Sequence, residues 1–66
     1  MNVIINGRPT PVAPRSTVAD IVGSLTDAQG GVAAAVNDEV VPRAAWPRTL
    51  VAENDRVDVL TAVQGG

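Results

Sequence analysis

The chain has no cysteine, no histidine and no lysine. Phenylalanine and tyrosine are also absent, and tryptophan and methionine occur once each. Each absence closes a class of chemistry. Without Cys there is no disulfide and no protein thiol, which fits a reducing compartment. Without Cys or His, the usual donors for zinc, iron or copper are missing. A Schiff base needs Lys, and the commonest general base is His. No apolar run reaches membrane-spanning length. Met1-Asn2-Val3-Ile4-Ile5 lacks the basic start and long apolar stretch of a secretory signal. The five positive charges are all arginine (Arg8, Arg15, Arg43, Arg48 and Arg56), scattered in a chain of net charge −2. That is no footprint for nucleic acid. Gly30-Gly31 is too short for a phosphate-cradling P-loop and lacks its lysine. These exclusions leave a cytoplasmic protein with no bound cofactor or metal, no membrane partner and no nucleic-acid partner as the expectation.

What is present is one domain, residues 1–66. A chain of this size buries only ~60% of its unfolded surface, and has no room for a cleft between two lobes. A stand-alone enzyme is therefore not expected. Its 45% hydrophobic content is that of a globular chain.

Val3-Ile4-Ile5 reads as a strand that runs into Asn6-Gly7, the strongest two-residue hairpin signal. The return strand, Arg8 to Ala13, carries Pro9 and Pro11, which cannot donate to a ladder, so it is expected at an edge. Thr17 caps a short helix, Val18 to Leu25, with Asp20 placed for a capping box. Val18, Ile21, Val22 and Leu25 give it one apolar stripe. Thr26 to Gly31 is an exit loop. Val32-Ala33-Ala34-Ala35-Val36 is apolar throughout and reads as a strand buried on both faces, with alanine where neighbours crowd it. After a turn at Asn37-Asp38-Glu39, Val40-Val41 is a short strand stopped by Pro42. Arg43 to Trp46 makes one helical turn ended by Pro47, and Leu50-Val51 is extended. Glu53-Asn54-Asp55 is a turn, and the last strand runs from Arg56 to about Ala62, with Val57 and Val59 on one face and Asp58, Leu60 and Ala62 on the other. Pairing the first and last strands in parallel, with the helix as the crossover, gives an α+β fold. It is a β-grasp (ubiquitin-like) roll: a mixed sheet of four to five strands with one short α-helix on one face.

Three stretches carry a family likeness. They are Val3-Ile4-Ile5-Asn6-Gly7 with Ser16-Thr17-Val18, Ala35-Val36-Asn37 with Val40-Val41-Pro42-Arg43 and Trp46, and the terminal Val63-Gln64-Gly65-Gly66. On these the chain resembles the sulfur-carrier proteins of thiamine (thiazole) biosynthesis, the ThiS family. The Asn–Val-Pro-Arg–Trp block is the most specific part, because a Gly-Gly end is shared by all ubiquitin-like carriers. Glu53-Asn54-Asp55 departs from the glycine-bearing turn common in such proteins. The small subunit of molybdopterin synthase resembles the chain in fold and tail, and a ubiquitin-like modifier conjugated through Gly66 is a further alternative.

The resemblance implies a covalent carrier rather than an enzyme. Gly66 would be the modified residue: its carboxylate is adenylated and then converted to a thiocarboxylate. Gln64, Gly65 and Gly66 would thread partner active sites, within a flexible tail of residues 63–66. The implied partners are an adenylating enzyme of the E1-like family, which holds ATP and Mg²⁺, a sulfur donor such as a cysteine desulfurase, and thiazole synthase as acceptor. Glycine suits such an arm, having no side chain to obstruct a narrow channel. The candidate partner surface is Leu60, Ala62 and Val63, with Arg43. For Leu60 two readings stay open, an exposed apolar patch beside the tail or cover by a neighbouring segment. Arg43 is either a solvated or locally paired charge or a docking residue. Trp46 either packs over the small core or meets a partner.

Overall fold

The computed structural model describes residues 1–26 and 30–61. Two β-hairpins and a crossover helix build the sheet. The first hairpin joins β1 (Asn2–Ile5) to β2 (Arg8–Pro11). Its turn has φ of 50° at Asn6 and 83° at Gly7, the left-handed pair that matches strand twist. The second joins β3 (Val32–Val36) to β4 (Glu39–Val41). There Asn37 and Asp38 take φ of 51° and 71°, so the turn is two residues and Glu39 already belongs to the strand. The last strand, β5 (Arg56–Thr61), lies between the hairpins, giving the order β2-β1-β5-β3-β4. β1 and β5 run parallel, as the sequence suggested, and the five-stranded sheet with one helix is a β-grasp roll.

The crossover helix α1 (Val18–Leu25) starts with a complete capping box. The Thr17 hydroxyl accepts from the Asp20 N–H at 3.2 Å, and the Asp20 carboxylate accepts from the Thr17 N–H at 2.9 Å. Val18, Ile21 and Val22 are buried against the sheet. Leu25, the fourth member of the expected stripe, is half exposed at the helix end.

The core forms between α1 and one face of the sheet, where Val3, Val18 and Val57 reach zero exposure. The other face is open, and this corrects the reading of Val32–Val36. Only Ala34 of β3 is buried, whereas Ala33 is exposed. A sheet covered by a helix on one side alone needs burial on one side alone. Pro47 also behaves differently from expectation. It sits inside a 3₁₀ helix, Arg43–Arg48, instead of ending a turn. The end comes at Thr49, whose N–H bonds the Trp46 carbonyl.

β2 is an edge strand, as its prolines required, though it ends at Pro11 rather than Ala13. Met1 and Val12 exchange two hydrogen bonds, of 3.1 and 2.8 Å. Alternation along an antiparallel ladder then makes Asn2–Pro11 and Ile4–Pro9 the pairs that do not exchange bonds. Pro9 and Pro11 therefore sit where a strand residue would point its N–H outward, and each lacks that N–H. The free edge of β2 has no donor at either position.

Candidate functional site

β5 occupies the centre of the sheet and delivers the chain toward its end. Val57 and Val59 anchor it in the core. On one side it pairs with β3 over five register positions, from Val36–Val57 to Val32–Thr61. On the other it pairs with β1 over two, Ile4–Arg56 and Ile5–Val57. β1 stops early because the chain reverses at Asn6-Gly7. Its last ladder bond is the Asn6 N–H to the Val57 carbonyl at 2.9 Å. The next donor on β5, the Val59 N–H, is taken by the Asn6 side-chain Oδ1 at 2.8 Å. A carboxamide thus replaces the backbone carbonyl that β1 no longer offers. The sequence reading used Asn6 only as a turn residue, and nothing local in the sequence announces a bond to a residue 53 positions away.

The start of β5 is held in a related way. Asn37 Oδ1 accepts from the Arg56 N–H at 3.0 Å, and its Nδ2 donates to Asp55 Oδ1 at 3.1 Å. Asp55 Oδ2 accepts from the Ala52 N–H at 2.7 Å. The acidic residues of this turn serve backbone hydrogen bonds. Arg56 pairs with Asp38, whose hydrogen bond and charge raise the guanidinium above its ordinary pKa.

Leu60 is 70% exposed and Val40 is 74% exposed. The open-patch reading of Leu60 is therefore the observed one. Between these two residues lies a shallow depression of about 90 Å³, lined by Ala33, Ala34, Ala35, Val40, Asp58 and Leu60. Register explains its shape. Ala33 lies opposite Leu60, and Ala35 lies opposite both Asp58 and Val40. Small side chains form a low floor between taller flanks. The sequence reading left Leu60 open between an exposed patch and cover by a neighbouring segment, and it treated Val40 only as part of a strand.

Arg43 is not among the residues lining this depression. Its guanidinium carbon lies 5.4 Å from the centre of the Trp46 ring, within cation–π range. Trp46 is buried at 6% exposure, and its indole Nε1 donates to the Val41 carbonyl at 2.9 Å. It packs into the core and ties the 3₁₀ helix to β4. Ala62, Val63, Gln64, Gly65 and Gly66 lie outside the described residues. The last described position, Thr61, is the final residue of β5.

This geometry brings the end of a central strand, Thr61, beside an exposed apolar patch. Comparison with known proteins bears on what such an end is for. A family model described as the ThiS family matches residues 3–66. The sulfur carrier protein ThiS of Escherichia coli (strain K12) is 29% identical over 66 residues, covering 100% of both chains. A crystal structure of a thiamine biosynthesis protein (ThiS) from Geobacter metallireducens superimposes with a TM-score of 0.80 at 35% identity, over 100% of both chains. A solution structure of a thiamine biosynthesis protein from the same organism gives a TM-score of 0.83 at 35% identity, covering 100% of this chain and 88% of that one.

Proposed function

This chain belongs to the ThiS family, sulfur carriers of thiamine biosynthesis, and from that premise we propose that its sulfur travels on the C-terminal carboxylate of Gly66. The family match running through residue 66, to the terminal Gly65-Gly66, carries this reading. The exit of β5 at Thr61, beside an open apolar face, supports it.

A free carboxylate is a poor electrophile. In the proposed cycle, a carboxylate oxygen of Gly66 attacks the α-phosphorus of ATP, and pyrophosphate leaves. The product is an acyl adenylate. A sulfur nucleophile then attacks the acyl carbon, and AMP leaves. Where that nucleophile is the terminal sulfur of a persulfide, the product is an acyl disulfide; a second thiol then attacks the donor-side sulfur, the S–S bond breaks, a disulfide forms on the donor side, and Gly66 ends in a thiocarboxylate. That group is anionic and nucleophilic, and it passes its sulfur to the precursor of the thiazole ring on thiazole synthase. Hydrolytic loss of the carrier restores the carboxylate. An activating enzyme of the E1-like class supplies the ATP and Mg²⁺ site, and a cysteine desulfurase is the class of sulfur donor. The carrier contributes position. Its rigid strand fixes the origin of a thin arm, Gln64-Gly65-Gly66, and Leu60, Ala62, Val63 and Arg43 are the proposed partner contacts.

The test is intact mass after incubation with the activating enzyme, ATP and a sulfur donor. The expected result is a gain equal to the oxygen-to-sulfur difference, located at Gly66. Deleting Gly66 should abolish the gain and leave the melting temperature unchanged. An unchanged mass for the full chain would refute the reading.

A further inference from the structure

Alternation along β5 sets the direction of each backbone group. Arg56 faces β3, because it accepts from the Asn37 N–H at 2.8 Å and donates to Asn37 Oδ1. Val57 faces β1, because its carbonyl accepts from the Asn6 N–H. Val59 also faces the β1 side, where its N–H meets the Asn6 carboxamide. By the same alternation the Val59 carbonyl and the Thr61 N–H point to that side. β1 has already turned away at Asn6-Gly7, so no described strand lies beside them. The fold thus leaves a half-open edge in the middle of its sheet.

Other edges are less receptive. Pro9 and Pro11 remove the outward donors of β2. β4 is three residues long and begins with exposed Glu39, and alternation leaves a single one of its residues, Val40, with backbone groups turned to the outer edge. The β5 edge carries both a donor and an acceptor. It is flanked by Leu60, which is 70% exposed on the open face.

We propose that the Val59–Thr61 edge receives an extended segment of the activating enzyme by main-chain pairing. One residue of that segment, opposite Leu60, donates to the Val59 carbonyl and accepts from the Thr61 N–H. This is strand addition, in which backbone bonds align a partner and neighbouring side chains select it. The occupant follows from chain length. Residues 62–66 are all that separate Thr61 from Gly66. Five extended residues span at most roughly 18 Å. An enzyme with Gly66 in its active site must therefore bring its own surface close to Thr61. The inference rests on the proposed activation of Gly66, and it adds that the tail is aligned by the strand before it.

Amide hydrogen exchange on the full-length ¹⁵N-labelled chain, alone and with the activating enzyme, tests the pairing. Val59 should be protected in both states, through Asn6. Thr61 should exchange readily in the free chain and at least about tenfold more slowly in the complex. Thr61→Pro removes that donor without touching the β3-facing groups of Leu60, and Thr61→Ala keeps it. The KM of the activating enzyme for the Pro variant should rise roughly 3- to 10-fold over the Ala variant, with kcat retained. An enzyme that forms the thiocarboxylate while Thr61 stays unprotected overturns the pairing and leaves the activation of Gly66 intact. Thr61 protection in the free chain that grows with protein concentration assigns the edge to a second copy and also overturns the pairing. Failure of the wild-type chain to gain mass overturns both.

Discussion

Replacing Asn6 tests whether one side chain holds β5 where β1 leaves off. Two effects meet at this residue. Its carboxamide satisfies the Val59 N–H at 2.8 Å, and its backbone sits at φ 50°. Leaving a partly buried donor without a partner costs about 1–2 kcal/mol. Placing alanine in the left-handed region adds about 1 kcal/mol, which glycine avoids. Asn6→Ala should therefore lose about 2–3 kcal/mol, a large share of the ~3–5 kcal/mol that a core of this size supports. Asn6→Gly keeps the turn unstrained and isolates the bond. Asn6→Asp keeps an acceptor and a residue at ease in this turn, so it should stay within about 1 kcal/mol of the parent. Urea unfolding read by the fluorescence of Trp46, the single tryptophan, reports all three. With a slope of about 1 kcal/mol per molar for a small domain, Asn6→Gly should shift the midpoint down by about 1–2 M. A glycine variant that unfolds at the parent midpoint, with the same slope, would show that the Asn6–Val59 bond contributes nothing and that beyond Val57 the strand is held by β3 alone.

Further outcomes follow from the same geometry. Leu60→Ala should change stability by less than about 0.5 kcal/mol because the side chain is 70% exposed. Leu60→Asp should weaken turnover by the activating enzyme while the melting curve holds, and a variant activated as well as the parent would remove Leu60 from the partner surface. Trp46→Phe removes the Nε1 bond to the Val41 carbonyl and should cost about 1 kcal/mol in thermal unfolding, whereas Trp46→Ala should cost about 3–5 kcal/mol and leave little folded protein by circular dichroism. Thr17→Ala breaks the capping box and should lower stability by about 1 kcal/mol in chemical unfolding, with Thr17→Ser recovering most of it.

The parts of the fold that were legible in the sequence are those fixed by neighbouring residues. Asn6-Gly7 announced a hairpin, Thr17 with Asp20 announced the helix start, and alternation in Arg56 to Leu60 separated core from open face. The alanine run was the hard case. Alanine is small enough to be buried or exposed, so β3 carried no statement of which face was covered. Its meaning appears only once Val40 and Leu60 are seen rising on either side of it. Pro47 misled because proline forbids continuation of a regular α-helix, while a short 3₁₀ segment accommodates it. The Asn6–Val59 bond and the half-open edge depend on where β1 stops relative to β5, a tertiary register with no local signature. For the candidate site, Leu60 takes the exposed one of the two readings left open, Arg43 lies over Trp46 and does not line the apolar depression, and Ala62 to Gly66 lie outside the described residues.

The strand order has a consequence for how the protein is made. β5 is the last strand in the chain and the middle strand of the sheet. Every earlier strand can leave the ribosome and pair only with its hairpin neighbour, β1 with β2 and β3 with β4. An isolated hairpin is marginal in water, so the domain has no stable partial form to stop at. A chain cut short before Arg56 leaves two disconnected hairpins and no sheet to join them. Translation itself therefore acts as a proofreader. A folded domain is one that has been synthesised through β5, and copies cut short before that strand are left for proteolysis.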